Sequence, residues 1–249
     1  MSAAPLLKVS DVSKSYGAIR AVDGVSFEVL PGEIFGVIGP NGSGKTTLFN
    51  SVLGQIAPDT GRIELQGRDI TGLSPVQLNR RGVGRTFQTL QVFGRMTVRD
   101  NLLVAAQEHR GSMFGRMFAP GDSGLGAKAD ALIEQFRIGH VAQRKAGELS
   151  YGQQKLVDIA MAFMSDPALV LLDEPCAGVN PSLVGGISSL LKALNANRRA
   201  SFVVIEHNME FVMDLCHRIL VMVEGKVMAV GTPAEIRANK QVLDAYLGS

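Results

Sequence analysis

The chain has 249 residues, enough to bury one large core or two small ones, and its 46% hydrophobic and 19% charged residues are the balance of an ordinary folded protein. That composition excludes a disordered or low-complexity chain, and a net charge of +2 gives no sign of the basic stripe that nucleic-acid binding normally requires. The two cysteines, Cys176 and Cys216, have neither metal-site spacing nor the density of a disulfide scaffold, and read as buried thiols in a reducing compartment.

The opening Met1-Ser2-Ala3-Ala4-Pro5 has no basic segment followed by an apolar run, so no signal peptide is expected. Apolar stretches such as 168–172 fall far short of the ~20 residues that cross a bilayer. A soluble, cytoplasmic chain is therefore expected. Leu7, Val9 and Val12 alternate as a strand up to a break at Tyr16-Gly17, and Val25, Phe27 and Val29 form a second strand running into Pro31-Gly32. Ile34-Phe35-Gly36-Val37-Ile38 is a buried-strand pattern, followed by a glycine-rich loop and a helix over 45–54. Beyond Pro58-Asp59-Thr60-Gly61, residues 62–65 read as a strand closing a hairpin on Gly67.

The pattern over 97–164 is helical, interrupted at 111–126, where Gly, Met and Phe dominate without a period. From 168 onward strand and helix alternate: strands at 169–172, 202–205 and 219–223, helices at 182–195 and 209–216. Thr232, Pro233 and Glu235 have the spacing of a capping box with proline at the first helical position. The outline is an α/β core split by a mainly helical insertion.

Gly39-Pro40-Asn41-Gly42-Ser43-Gly44-Lys45-Thr46 fits the phosphate-loop pattern. Glycines let backbone N–H groups converge on phosphate oxygens, and the helix after the loop begins at its electropositive end. Lys45 supplies a cation for the β- and γ-phosphates, and the Thr46 hydroxyl is a ligand for Mg²⁺. The second chemical signal is Leu169-Val170-Leu171-Leu172-Asp173-Glu174-Pro175, an apolar strand ending in two carboxylates. In an open α/β sheet the strand ends form the ligand crevice. There one carboxylate can hold Mg²⁺ and the next can orient or deprotonate water. Charges after a strand also commonly begin a solvated turn; the phosphate loop is what favours the chemical reading.

Two further segments carry a family resemblance. Leu149-Ser150-Tyr151-Gly152-Gln153-Gln154 resembles the signature motif of ABC ATPases and lies shortly before the acidic strand, as in that family. Phe202-Val203-Val204-Ile205-Glu206-His207 is similar to the family's histidine switch, Thr86-Phe87-Gln88 to its glutamine loop, and Tyr16 stands where the family places an aromatic on adenine. The resemblance covers essentially the whole chain. It implies an α/β P-loop NTPase (RecA-like) core with an N-terminal antiparallel β subdomain, together spanning 1–88 and 165–249, and an inserted helical subdomain over 89–164. It implies ATP and Mg²⁺ held by Gly39 to Thr47, with Mg²⁺ also on Asp173 and Gln88. Glu174 polarises water, His207 steadies the γ-phosphate, and Ser150, Gly152 and Gln153 face nucleotide held by a partner ATPase.

Read without the family, Ser150-x-Gly152 ahead of a helix is also an ordinary N-cap, and Tyr16 fits a core position as readily as a stacking one. His109, His140 and His217 read as structural. Two departures stand out: Tyr151 replaces the usual second glycine of the signature, and Asn180 stands where many relatives have aspartate.

Within the family, Arg85-Thr86-Phe87-Gln88, the run from Met96 to Val104, Ala177-Gly178-Val179-Asn180-Pro181 and the ending Ala245-Tyr246-Leu247-Gly248 are similar to ATPase subunits for uptake of branched-chain and other hydrophobic amino acids. That narrower resemblance implies a second ATPase (a different chain or another copy), two membrane permease subunits, an external binding protein acting indirectly, and a peripheral place on the cytoplasmic face of the inner membrane. Three alternatives stand against it: an ABC ATPase of lipid or lipopolysaccharide export, one of DNA repair, and a regulator that binds ATP as a switch. The repair class carries a long coiled coil between glutamine loop and signature, and no sustained heptads occur between Gln88 and Ser150.

Overall fold

The computed structural model describes residues 4–86, 90–107, 123–198 and 200–247. Strands β1 (Leu7–Tyr16) and β2 (Ile19–Val29) form an antiparallel hairpin, with Leu7 opposite Val29 and Tyr16 opposite Ile19. The alternation of β1 shifts at Asp11, which has a left-handed φ of 48° and donates its N–H to Ser26 Oγ; the bulge keeps Val9 and Val12 both inward. With β3 (Ile34–Ile38) passing to a second sheet, β4 (Thr60–Leu65) and β5 (Arg68–Asp69) complete a first sheet in the order β2-β1-β4-β5.

The second sheet adds β6 (Val83–Arg85), β7 (Leu169–Asp173), β8 (Ser201–Ile205), β9 (Arg218–Val223) and β10 (Lys226–Gly231) to β3. Its order is β10-β9-β3-β8-β7-β6; all neighbours are parallel except β10, which returns antiparallel from β9. Parallel strands covered on both faces must be apolar on both. Accordingly Ile34, Ile38, Val170, Leu172, Phe202 and Val204 enter one core, while Phe35, Val37, Leu169, Leu171, Val203 and Ile205 enter the other.

The second of these cores lies against the first sheet and α1 (Lys45–Val52). The other lies under the remaining long helices. In chain order the helices after α1 are α2 (Pro75–Arg80), α3 (Val98–Gln107), α4 (Ser123–Gln135), α5 (Tyr151–Ala162), α6 (Pro181–Arg198), α7 (Met209–Leu215), α8 (Pro233–Ala238) and α9 (Lys240–Leu247). Helices α3, α4 and α5 pack together, and a run of rings ties them to the sheet: Phe136 to Phe163 at 5.9 Å, then Phe163 to Phe202 of β8 at 6.1 Å. Among the described residues no helix is long and apolar enough to cross a membrane.

Most elements lie where hydrophobic period predicts them. The capping box at Thr232 is present, with Thr232 Oγ1 accepting the Glu235 N–H and Glu235 Oε2 accepting the Thr232 N–H. The helix expected after Ser150-x-Gly152 starts at Tyr151 and ends at Ala162, giving way to a 3-10 turn at Phe163–Ser165. Four elements are not among those expected from the sequence: α2, β6, β10 and α9. Residues 111–122 of the aperiodic segment lie outside the described residues, and 123–126, expected to belong to that break, are instead the first turn of helix α4.

Phe35 is fully buried, stacked on Phe27 at 5.3 Å and 5°, with the Arg218 guanidinium 5.3 Å from its ring centre. Truncating Phe35 to alanine should cost about 3–5 kcal/mol. Urea unfolding would show this as a lowered midpoint at unchanged slope, whereas a loss under ~1 kcal/mol would mean the two sheets close over the space.

Candidate functional site

Strands β3, β7 and β8 run parallel and end at the same edge of the sheet, so Ile38, Asp173 and Ile205 deliver the three chemical segments to one crevice. After Ile38 the chain cannot carry side chains freely. A Cβ on Gly39 would sit 2.2 Å from the Met222 carbonyl oxygen, and one on Gly44 would sit 2.0 Å from that of Ala21. The loop is thus wedged between β9 and β2, and Gly225, in the turn from β9 to β10, donates its N–H to the Ser43 carbonyl. Gly44 caps α1 without offering a side-chain acceptor, leaving the electropositive helix start for an external anion. Asn41, Gly42 and Thr46 are exposed, Thr47 is half-buried, and Ser43 is buried beneath them.

Lys45 Nζ donates to the carbonyls of Gly39 at 2.8 Å and Pro40 at 2.9 Å. Burial lowers its pKa below the usual lysine value, and the Glu174 charge opposes that shift, placing ammonium and carboxylate within electrostatic reach across the crevice. Burial raises the pKa of Asp173; Glu174 and Glu206 add to the rise and Lys155 of α5 counters it. Asp173 N–H also lies 3.4 Å from Thr86 Oγ1, fastening the strand end to the residue after β6. Glu174 adopts a left-handed φ of 45°, its N–H bonded to the Ile205 carbonyl at 2.9 Å. From there its Oε1 lies 3.5 Å from His207 Nδ1.

Glu206 is inconspicuous in the sequence beside His207, yet it organises this edge. It is 1% exposed. Its Oε1 accepts the Cys176 N–H at 2.8 Å, and its Oε2 accepts those of His207 at 3.0 Å and Asn208 at 3.1 Å. The signal that could have found it is an acidic residue directly after five apolar or small ones at a parallel strand end. Lys155, also 1% exposed, is a second group that the sequence pattern conceals; a lysine in a helical stripe looks like solvent-facing charge.

The structure brings Lys45, Asp173, Glu174 and His207 together. Among the described residues no hydrogen bond or ion pair joins the signature turn to the phosphate loop. Ser150 is instead the N-cap of α5 in a capping box: its Oγ accepts the Gln153 N–H at 3.3 Å and Gln153 Oε1 accepts the Ser150 N–H at 3.0 Å. Gly152 presses on Val179 and the first turn of α6, where a Cβ would meet Leu183 Cδ1 at 2.8 Å. Tyr16 is 48% exposed at the tip of the β1–β2 hairpin, so it is not a core residue. His217 Nδ1 accepts the Ile34 N–H at the far end of β3, in keeping with a structural place, whereas His140 Nε2 lies 3.5 Å from Gln153 Nε2. Gln88 and His109 lie outside the described residues.

A glycine loop between a buried parallel strand and a helix, opening on the ends of neighbouring strands, defines the α/β phosphate-loop nucleotide hydrolases. Residues 22–177 match the family described as "ABC transporter", and residues 226–249 match "Branched-chain amino acid ATP-binding cassette transporter". The chain belongs to the ABC transporter ATPase family, as an ATP-binding and ATP-hydrolysing transporter subunit. It is 37% identical over 250 residues, 98% of each chain, to the high-affinity branched-chain amino acid transport ATP-binding protein BraF of Pseudomonas aeruginosa. It is 37% identical over 243 residues, 98% of this chain and 97% of the relative, to the lipopolysaccharide export ATP-binding protein LptB of Haemophilus influenzae. The structure of MJ1267, an ATP-binding cassette of an ABC transporter in its ADP conformation, superimposes with a TM-score of 0.89 at 35% identity, covering 99% of this chain and 100% of that one. The dimeric cassette MJ0796 bound to ADP and Pi superimposes at 0.77 and 25% identity, covering 91% and 98%.

Glu206 uses both oxygens as acceptors of backbone N–H groups, so an amide at this position must turn an NH₂ toward one of them. Glu206→Gln should lose ~3 kcal/mol of stability, read from chemical unfolding, and a variant within 0.5 kcal/mol of the parent would show that water replaces the lost acceptor. Burial, and after it the Glu206 charge, holds the Cys176 thiol far above its usual range, and burial pushes that of Cys216 up to about 12. Neither thiol should be alkylated by iodoacetamide at pH 8 until the chain is unfolded; rapid labelling of the folded chain would place one of them at the surface.

Proposed function

We propose that this ATPase energises uptake of branched-chain or other hydrophobic amino acids, through closure of two cassettes on ATP. The solute class is supported by the family match of residues 226–249 together with the end-to-end likeness to BraF. The equal identity to LptB keeps an export role as the second reading, but LptB is named for lipopolysaccharide export, and the carboxyl-terminal match favours amino acids.

In the proposed chemistry the backbone of Gly39 to Thr47 cradles the phosphates, and Lys45 leaves its own loop carbonyls for the β- and γ-oxygens. Tyr16, exposed at the hairpin tip, stacks on adenine. The Thr46 hydroxyl and the Asp173 carboxylate are hard oxygen donors that fit Mg²⁺, which binds few protein groups when phosphates and water complete its shell. A Mg²⁺ ion held by these groups would supply positive charge against the phosphoryl oxygens. Gln88 is assigned to the same ion. Glu174 polarises the attacking water, and His207, 3.5 Å from it, steadies the γ-phosphate; that juxtaposition is the observation that carries the assignment.

Ser150, Gly152 and Gln153 then serve the nucleotide of a second ATPase, since the N-cap Ser150 is exposed at the start of α5 and, among the described residues, no hydrogen bond ties the three to the chain's own phosphate loop. The groove of about 290 Å³ between α2, α3 and α5, lined by Val76, Arg80, Phe93, Val104 and Met161, is suited to a short amphipathic helix of a membrane permease. Attachment through two permease subunits would place the chain on the cytoplasmic face of the inner membrane, with the external binding protein acting at a distance. In this reading the chain divides into a nucleotide-binding core with its β subdomain (1–88 and 165–249) and a helical signature unit (89–164).

Glu174→Gln should bind ATP with parental affinity while hydrolysis falls ~100-fold or more. Isolated from native membranes with ATP and Mg²⁺, it should bring a second ATPase, two membrane subunits and an amino-acid-binding protein, identified by mass spectrometry. A parental hydrolysis rate would remove Glu174 from water activation, and recovery with lipopolysaccharide-transport subunits would decide for export.

A further inference from the structure

The signature segment carries Tyr151 where a glycine is usual, and the structure gives that side chain a seat. Tyr151 is 42% exposed, so it does not fill the core. Its ring lies along Gly178, where a Cβ would stand 3.1 Å from Tyr151 Cε1, 3.5 Å from Cζ and 3.6 Å from Cδ1. Gly178 has a φ of 71°, so the close approach of the ring and the backbone shape both select against a side chain there. The next residue, Gly152, meets the same segment at Val179 and, in the first turn of α6, Leu183. Both central residues of the signature turn therefore press on one short segment.

That segment is continuous with the acidic turn. Val179 N–H bonds the Cys176 carbonyl at 3.1 Å, Ala177 N–H bonds the Glu174 carbonyl at 3.1 Å, and Cys176 N–H is held by Glu206. Its other end is fixed by Asn180, whose Oδ1 accepts the Ser182 N–H at 3.0 Å at the start of α6. A hydrogen-bonded turn with both ends anchored transmits displacement, because its few backbone angles are already committed. We infer that Tyr151 is a positioning residue for ATP hydrolysis: its ring on Gly178 sets the acidic turn, and through it Glu174, relative to the signature turn of the same chain. The contact is made by ring carbons, so the hydroxyl is dispensable. The consequence is that the half-site a chain presents to its partner is registered against its own hydrolytic residues.

The inference rests on the reading of Glu174 as the water-polarising group, and one kinetic series separates the two. Steady-state ATP hydrolysis is measured on the full-length chain as the parent, Tyr151→Phe, Tyr151→Ala, Gly178→Ala, the double variant Tyr151→Ala/Gly178→Ala, and Glu174→Gln. Tyr151→Phe should match the parent. Tyr151→Ala should lose kcat on the order of tenfold with KM for ATP within about twofold, because a misplaced group costs rate rather than binding. Gly178→Ala should also lose kcat, and the double variant should lose less than the product of the two single losses. Parental kcat in Tyr151→Ala, a raised KM at unchanged kcat, equal damage in Tyr151→Phe, or multiplicative losses in the double variant would each overturn the inference. Parental turnover in Glu174→Gln would overturn the role of that glutamate instead.

Discussion

One buried charge sets the geometry of the sheet edge where β7 and β8 end. Glu206 is removed from water, at a desolvation cost of several kcal/mol, and the cost is offset because its two oxygens accept three backbone N–H groups from two separate turns. Asp173 pairs with Ile205 across β7 and β8, so the strands arrive in register, but register alone does not fix the turns that leave their ends. The Glu206 carboxylate does. By holding Cys176 after one strand and His207 and Asn208 after the other, it fixes the relation in which Glu174 and His207 meet at 3.5 Å. Lys155, reaching in from α5, supplies a positive charge within electrostatic range of Asp173 and Cys176. The helix that begins at the signature turn thus shares the electrostatics of the edge.

The same constraint explains the backbone of Glu174. A left-handed φ in a residue with a Cβ costs about 1–2 kcal/mol and survives only where the surroundings determine it. Here they do: the Glu174 N–H is taken by Ile205, its carbonyl by Ala177, and the turn two residues on by Glu206. A right-handed conformation at Glu174 would carry its side chain out of the crevice or break one of those bonds. Strain at this residue is therefore the local cost of turning the carboxylate toward His207, and the buried charge next door sustains it.

These particulars also explain how far the fold is legible in one dimension. The parallel strands show as apolar runs because both faces are covered, and the phosphate loop shows because steric demands at Gly39 and Gly44 leave no other residue type. Helix α2 has a complete capping box, Ser74 with Gln77 and proline between, yet spans only six residues, too short for a period to rise above its neighbours. Strand β6 has three residues, and its identity comes from pairing with β7, a contact no local pattern encodes. The site divides in the same way. Lys45, Asp173, Glu174 and His207 are chemically conspicuous along the chain, whereas Glu206 and Lys155 acquire meaning only when strand ends are brought together and water is excluded.

Ser150 shows why cap and ligand readings of the signature turn need not compete. Its Oγ accepts the Gln153 N–H, and this geometry aligns the first N–H groups of α5 at an exposed helix start. A cap that organises those donors also prepares them for an anion, since the helix end keeps more N–H groups than one side chain can satisfy. The turn so prepared is braced on the segment from Gly178 to Leu183, which leads directly to the Glu174 turn. In a pair of cassettes closed on ATP, movement of one signature turn against a partner's phosphate would load the loop beside Glu174, the residue proposed to polarise water. On the proposed roles, such an arrangement would couple two sites through packed backbone instead of through a flexible link, and closure would have a mechanical consequence within each chain.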